Sequence, residues 1–297
     1  MKVLKVMMGL MWEKVDVKDL MLRMVIGLVV FWLVKDTLLA LAEGLQLVWV
    51  LKVLGVGRIL KVLEVVGQVV GLGISSWLGV KWIGWWLLPV GGRVRGRVMV
   101  VVAHADDESM FFGPLVDQCL DLVLVVCTDG SLGGCAEVRR KEMELVAKDL
   151  GCKVYFLNRR DGSLEYSEEI VAEIVELGRR EGIEEVVSFD EEGVSGHSDH
   201  IACSRIAYQV GLSLGLRRVY QLQSLPLPGK YGTVFSFWAD SGLLIKTESL
   251  RSILKTRERM CMHRSQLLWF RYLYIIFSTY MDVNILVPRV FGTYKVY

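Results

Sequence analysis

The chain has 297 residues, 53% of them hydrophobic, and a formal net charge of +2. This length suits one catalytic domain with an extension, and the small net charge implies neither a nucleic-acid surface nor an acidic tail. The mean hydropathy of +0.41 is high for a purely soluble protein, so we expect part of the chain to contact lipid.

The N-terminal region, residues 1–97, is dominated by Val, Leu, Gly and Trp and contains no His or Cys. Within it, residues 65–92 carry one charge, Lys81, and exceed the roughly 20 apolar residues that span a bilayer. We predict one transmembrane helix near 65–92. An earlier apolar patch, 24–51, contains charged residues and could form either an interfacial helix or a second span. For both segments, the alternative is a helix buried in the protein core.

The basic residues on the two sides of the predicted span are equally numerous, so they do not determine the orientation of the protein in the membrane.

All six cysteines follow residue 118, and none forms a C-x-x-C pair, which argues against a cysteine zinc site. An even number leaves disulfides open, but we expect reduced, buried thiols in a domain that faces the cytosol.

From residue 98 onward, short apolar segments alternate with amphipathic ones. We predict strands over 98–103, 122–128, 154–157, 185–189 and 219–223, and helices over 110–120, 137–150, 167–180 and 200–214. Ser167 is a candidate N-cap and Gly151 a candidate C′ residue. This alternation indicates an α/β fold, a Rossmann-like, mostly parallel sheet flanked by helices, whose functional site lies beyond the carboxyl ends of the strands.

The first polar motif is HADDE, residues 104–108, directly after the first predicted strand. Three carboxylates beside one imidazole repel one another unless a cation neutralises them. His104 and Asp107 can converge on one divalent ion in a tight turn. Asp106 then lies beside the ion as a candidate general base.

The second polar motif is GVSGHSDH, residues 193–200, after the strand predicted over 185–189. His197 and His200 share a face at a helix start. Neutral imidazole is a common zinc ligand, and a second histidine suits acid catalysis near neutral pH. Because three of the four histidines lie in these two motifs, the pair predicts a metal site.

Together, these motifs resemble a known family. A strand followed by A-H-x-D-D-E and later by G-V-S-G-H-x-x-H is similar to the LmbE-like, or PIG-L, de-N-acetylases. The stretch MHRSQLLWFR, residues 262–271, resembles the eukaryotic branch that acts on N-acetylglucosaminyl-phosphatidylinositol. The similarity covers residues 98 to 285.

The resemblance implies a role for each motif residue. His104, Asp107 and His200 would hold one Zn²⁺, or another divalent metal. Asp106 would act as the general base, and His197 would stabilise the tetrahedral intermediate or protonate the leaving amine. Zinc in such a site lowers the pKa of its water and polarises a carbonyl.

Three other residues are candidate substrate contacts. Arg139 matches the family's Arg-x-x-Glu position, although a solvated helix face explains it equally well. Asp161 lies in a strand-end loop that could contact the sugar or be a plain loop. His263 belongs to the C-terminal motif, where packing against the sheet is the alternative. The apolar segment 267–277 is typical of a core helix, with lipid contact as the other interpretation.

The resulting hypothesis has residues 1–97 as a membrane-anchoring region and 98–297 as the catalytic domain. The resemblance implies a membrane enzyme of the endoplasmic reticulum, facing the cytosol, that deacetylates N-acetylglucosaminyl-phosphatidylinositol in GPI-anchor synthesis. It implies no nucleic acid and identifies no protein partner. One alternative is a de-N-acetylase of another N-acetylglucosaminyl conjugate. Another is a non-catalytic, membrane-bound member, supported only by Ala105, where the family usually has a proline that stiffens the turn.

Overall fold

The computed structural model describes residues 73, 76, 78, 79, 81–86, 88, 91–232 and 242–291. The chain divides into two units, 1–82 and 83–297, and the second is described below. Most of the predicted transmembrane segment near 65–92, and all of the patch 24–51, lie outside the described residues. Among the residues that are described, no helix is both long enough and apolar enough to cross a bilayer. The domain boundary near residue 97 stays a prediction.

A mixed sheet forms the centre of the second unit. Its strands are β1 (Val98–Val102), β2 (Leu122–Thr128), β3 (Lys153–Arg159), β4 (Glu185–Phe189), β5 (Arg218–Leu222), β6 (Leu243–Lys246) and β7 (Val283–Val290). The order across the sheet is β3-β2-β1-β4-β5-β7-β6. Strands β1 to β5 are parallel, and β7 runs antiparallel to both β5 and β6. The mostly parallel sheet is therefore confirmed.

The central strands are apolar on both faces. Every residue of β1 (VMVVV) and β2 (LVLVVCT) is buried, as expected where helices cover a parallel sheet on both sides. Their β-branched side chains pack well on a pleated surface. The carboxyl ends of these parallel strands lie at one edge of the sheet, and the polar motifs follow them there.

The connecting helices and helical turns are α1 (Asp107–Met110), α2 (Gly113–Gln118), α3 (Ala136–Leu150), α4 (Glu168–Glu181), α5 (Gly193–Gly196), α6 (Ser198–Ser213), α7 (Leu227–Tyr231), α8 (Leu250–Met262) and α9 (Trp269–Phe277). The two predicted helix ends are confirmed. The Ser167 hydroxyl accepts a hydrogen bond from the Ile170 N–H at 3.3 Å. Gly151 ends α3 with a left-handed φ of 66°.

The single helix predicted over 110–120 is wrong. The segment forms two short helices, α1 and α2, and the first begins earlier, at Asp107. The break lies at Phe111 and Phe112, and Pro114 occupies the first turn of the second helix. Proline starts a helix readily but cannot continue one without losing a backbone donor. All six cysteines lie within the described residues and form no disulfide there; Cys127 and Cys203 are buried, Cys119 and Cys152 half-buried, and Cys135 and Cys261 exposed, so the expected burial is correct for only two of them.

Candidate active site

The two polar motifs meet at the carboxyl ends of β1 and β4. These strands are parallel neighbours, paired from Val98 opposite Glu185, so the loops that follow them open at the same edge. One ligand atom from each of His104, Asp107 and His200 lies within 4.8 Å of the others, and all three residues are buried. The sequence-predicted metal ligands are thus brought together.

Asp107 is fixed by the backbone at the end of β1. Its Oδ2 accepts hydrogen bonds from the N–H groups of His104 at 2.8 Å and Ala103 at 3.1 Å. Its Oδ1 lies 3.4 Å from His200 Nε2. Burial raises the pKa of Asp107, but the charge of His200 and the hydrogen bonds from both histidines hold it well below its usual range. The carboxylate is therefore ionised, as a metal ligand must be.

His104 is oriented by a pair of carboxylates. Its Nε2 lies 3.0 Å from Asp161 Oδ1 and 3.2 Å from Asp199 Oδ2, while its Nδ1 lies 3.6 Å from Asp107 Oδ2. Burial lowers the pKa of His104, but the hydrogen bond and charge of Asp107 and the charge of Asp161 outweigh it and raise the pKa to about 9. Carboxylates on one imidazole nitrogen are the partners that orient a ligating histidine.

His200 is held on the opposite side of the cluster. Its Nδ1 lies 3.1 Å from the Gly193 carbonyl oxygen, so Nδ1–H donates there and Nε2 is the nitrogen that could ligate a metal. The ring stacks on Phe189, with centroids 4.0 Å apart and planes 4° apart. Gly193 and Val194 both adopt positive φ, 59° and 60°, and Val194 is a rare case for a β-branched residue. This strained turn sets the position of His200.

Asp106 lies beside the cluster in an unusual backbone conformation, with φ 145° and ψ −19°. The side chain is buried. Its two oxygens accept from Arg139 Nη2 at 3.2 Å and from Arg271 Nη2 at 3.3 Å. Burial and the charge of Asp107 raise the pKa of Asp106, and the two guanidinium groups oppose this shift. A buried carboxyl whose pKa is raised holds a proton more readily than an exposed one, which suits proton transfer.

His197 is exposed at the start of α6. Its Nδ1 accepts a hydrogen bond from the Asp199 N–H at 3.2 Å and so caps the helix. Its ring centroid lies 4.9 Å from that of His104 and 4.8 Å from that of His200. Burial and the charges of these two histidines lower the pKa of His197. The neutral ring carries its proton on Nε2, where it can donate to a substrate atom.

The predicted substrate contacts Arg139 and Asp161 are both buried. Arg139 also donates to the carbonyl oxygens of Gly130 and Ala105, each at 3.1 Å. Asp161 Oδ2 accepts from the Leu132 N–H at 3.1 Å. In the structure these residues position Asp106 and His104; their contact with substrate stays a prediction.

His263 is fully buried and contacts the catalytic turn, residues 104–110 after β1. Its Nε2 lies 2.7 Å from Glu108 Oε1, and Glu108 Oε2 accepts from the Asp106 N–H at 3.2 Å. This position agrees with packing inside the fold, the alternative interpretation of His263. A direct contact with substrate stays a prediction that the geometry does not favour.

Two residues at the site were not selected from the sequence. Asp199 is fully buried. Its position between the two histidines of the second motif could have identified it as a site residue. Arg271 lies in the C-terminal motif, 165 positions from the Asp106 it contacts. Both are charged residues within the sequence motifs, but only the folded chain shows which groups they contact.

Residues 99–210 match the PIG-L family, described as GlcNAc-PI de-N-acetylase. A Bos taurus protein named "N-acetylglucosaminyl-phosphatidylinositol de-N-acetylase" is 33% identical over 217 residues, covering 66% of this chain and 84% of the relative. A Schizosaccharomyces pombe protein named "Probable N-acetylglucosaminyl-phosphatidylinositol de-N-acetylase" is 30% identical over 214 residues, covering 64% and 85%.

The fold is also similar to that of solved structures. The N,N'-diacetylchitobiose deacetylase of Pyrococcus horikoshii aligns with a TM-score of 0.52 and 18% identity, over 65% of this chain and 84% of that one. At this identity the likeness concerns the fold alone. The sequence relatives are more similar to this chain than the solved structure is, and they show that the chain belongs to the PIG-L family, the GlcNAc-PI de-N-acetylases.

Proposed function

We propose that the protein removes the N-acetyl group of N-acetylglucosaminyl-phosphatidylinositol, giving glucosaminyl-phosphatidylinositol and acetate in GPI-anchor biosynthesis. The observation that carries the proposal is the convergence of His104, Asp107 and His200 beside the buried carboxyl of Asp106. The names of the bovine and yeast relatives supply the substrate.

We assign one Zn²⁺, or another divalent ion, to these three residues. Two imidazoles and a carboxylate are a donor set found in catalytic zinc sites. The other nitrogen of each ligating histidine has a hydrogen-bond acceptor within 3.2 Å, Asp161 and Asp199 for His104 and the Gly193 carbonyl for His200. The residues present therefore fit the metal. A bound ion of this kind polarises an amide carbonyl and favours ionisation of water.

The remaining side chains divide the proton transfers. Asp106 accepts a proton from the attacking water, whose oxygen bonds to the acetamide carbon. The neutral His197 ring donates a hydrogen bond from Nε2–H to the oxyanion, Asp106 passes the proton it has taken up to the departing nitrogen, the C–N bond breaks, and the nitrogen leaves as an amine. Arg139 and Arg271 hold both carboxylate oxygens of Asp106, which fixes its orientation toward the ligand cluster.

The same proposal places the enzyme in the endoplasmic reticulum membrane, anchored by residues within 65–92, with the catalytic domain on the cytosolic side. A lipid substrate and the apolar N-terminal composition support an anchor, and six free thiols suit a reducing compartment. Added protease on intact microsomes should digest the catalytic domain; protection of that domain would refute the orientation.

The activity is tested by acetate release from N-acetylglucosaminyl-phosphatidylinositol, using the purified full-length chain with and without chelator. Release should stop with chelator, return with Zn²⁺, and fall in Asp106→Asn. The matched control is Asp121→Asn, since Asp121 is an exposed carboxylate paired with Arg97. Release only from another N-acetylglucosaminyl conjugate would change the substrate. No release from folded, zinc-loaded protein would identify a non-catalytic member.

A further inference from the structure

Helix α9 shows an apolar face to solvent. Trp269, Tyr272 and Leu273 are 76%, 51% and 48% exposed, and their spacing of three and four positions puts them on one side of the helix. The opposite side carries Arg271 and Tyr274, which contact the catalytic turn. A surface helix normally turns its polar side to water, whereas α9 buries Ile275 on its packed side and is apolar on its exposed side as well.

We propose that this face, formed by Leu268, Trp269, Tyr272 and Leu273 and called the α9 apolar face, docks on the lipid bilayer and holds the active site against the membrane surface. The proposal rests on the proposed function, because a lipid-linked substrate presents its sugar at that surface. It names a docking element within the catalytic domain, separate from the predicted span near 65–92. Contiguous exposed apolar residues on a folded domain mark an interaction surface.

The chemistry of the segment favours lipid as the partner. Trp and Tyr combine an apolar ring with a polar tip and are enriched where bilayer and water meet. No Asp or Glu occurs from Arg259 to Met281, and Arg264, just before the helix, is exposed. An apolar face beside an exposed arginine, in a segment without acids, is complementary to phosphate headgroups.

The same charge pattern disfavours a second copy of the chain as the occupant. In a two-fold symmetric dimer a patch meets itself, so Arg264 would approach its own copy with no acid in the segment to offset it. A bilayer places phosphates opposite Arg264 and hydrocarbon opposite the aromatic rings. The lipid surface is therefore the partner that is complementary both to the apolar side chains and to the exposed arginine of the segment.

Contacts across the helix fix this face relative to the site. Arg271 Nη2 lies 3.3 Å from Asp106 Oδ2, and the Tyr274 hydroxyl donates to the Met110 carbonyl oxygen at 3.1 Å. Another exposed apolar side chain, Leu132, is 72% exposed on a turn whose N–H donates to Asp161. Apolar side chains thus project from two segments that contact active-site carboxylates.

Site-specific photocrosslinking tests the docking directly. The full-length chain, carrying p-benzoylphenylalanine at position 269 or 273, is reconstituted into vesicles of phosphatidylcholine and phosphatidylinositol. The control position is Leu212, which is 50% exposed near the end of α6. Because α6 begins at the site and rises about 1.5 Å per residue, Leu212 lies roughly 20 Å away from its catalytic end.

We expect roughly tenfold more lipid adducts at positions 269 and 273 than at 212, because an interfacial helix buries its apolar side among headgroups and acyl chains. Equal adduct yields at all three positions would overturn the proposal. Adducts at 269 with a second copy, or with residues 1–72 of the same chain, would also overturn it and would identify the occupant.

A kinetic test separates docking from the proposed reaction. Trp269→Ser combined with Leu273→Ser should lower kcat/KM on vesicle-embedded N-acetylglucosaminyl-phosphatidylinositol roughly tenfold relative to kcat/KM on a short-chain, water-soluble analogue. Leu212→Ser should leave that ratio unchanged. An equal loss on both substrates would mean a structural role and refute the docking. Absence of activity on both substrates in the wild type would refute the proposed function, and the photocrosslinks would then decide the docking alone.

Discussion

Replacement of Gly193 by alanine tests whether the strained turn before α6 sets the position of His200, the proposed metal ligand. Gly193 has a φ of 59°, and a Cβ built on it would lie 3.0 Å from His200 Cβ, 3.0 Å from Ile201 Cγ1 and 3.1 Å from the Ile201 nitrogen. Two of these three atoms belong to the helix residue Ile201, one of them to its backbone. The added methyl therefore has to be accommodated by a shift of the helix start, which carries His200.

Two contributions set the size of the effect. An alanine held at a left-handed φ loses about 1–2 kcal/mol of stability relative to glycine. This loss is expected at any position with such a φ. The contacts at 3.0–3.1 Å add a displacement of a few tenths of an ångström at His200. Because disturbing the groups that orient a metal ligand costs about 10–100-fold in metal affinity, we expect a loss of Zn²⁺ affinity of roughly tenfold, at the lower end of that range.

Gly182 is the matched control, since it has a φ of 65° and no atom within 4 Å of a built Cβ. Gly182→Ala should lose about 1–2 kcal/mol in denaturant unfolding and keep the Zn²⁺ affinity of the wild type. Gly193→Ala should lose at least as much stability and also bind Zn²⁺ more weakly in a chelator competition. Equal Zn²⁺ affinity in the two variants would refute the steric argument.

Three more substitutions probe other parts of the site and the fold. Asp199→Asn weakens the carboxylate support of His104 and should lower Zn²⁺ affinity about 10–100-fold; unchanged affinity in a chelator competition would contradict this orienting role. Arg271→Ala removes one of the two guanidinium groups on Asp106 and should lower kcat about tenfold, as misplaced catalytic groups do, with Zn²⁺ content unchanged; loss of zinc instead would point to a general disturbance of the site. Ser167→Ala removes the N-cap of α4 and should cost about 1 kcal/mol in urea unfolding, without effect on kcat.

The first half of the catalytic domain could be predicted because its signals are local. The strands β1 and β2 are nearly continuous apolar runs, and β4 (EVVSF) is a short, mostly apolar segment; the predicted bounds of all three agree with the structure to within a residue. Each of β1 and β4 is followed by a polar motif. Once the sheet is parallel, the convergence of His104, Asp107 and His200 follows from topology alone.

The C-terminal half depends on contacts between residues far apart in the chain. Asn284 is a poor strand former, yet it is fully buried in β7. Its Oδ1 accepts from the Leu115 N–H at 3.1 Å, and its Nδ2 donates to the Phe111 carbonyl oxygen at 2.7 Å. These are backbone groups at the break between α1 and α2. Pro114 is a local signal of the break, but the burial of Asn284 in β7 follows only from contacts with residues far away in the chain.

The orientation of Asp106 has a similar explanation. Its φ of 145° is unfavourable for a residue with a Cβ, and nothing in HADDE indicates it. Hydrogen bonds from Arg139 and Arg271, and the one from its own N–H to Glu108, hold the residue in place. The motif predicted which residues take part, whereas the tertiary contacts determine how they are oriented.

The position of β7 has a consequence for the synthesis of the protein in the cell. Although β7 is the last strand along the described chain, it lies inside the sheet, between β5 and β6. The ribosome therefore synthesises all three proposed metal ligands long before β7 is available to complete the sheet. Until β7 is made, β5 presents an unpaired edge. A chain that stops before Val283 keeps His104, Asp107 and His200 but exposes that edge. Premature stop codons in this region should thus yield aggregating chains that quality control removes, rather than weakly active enzymes.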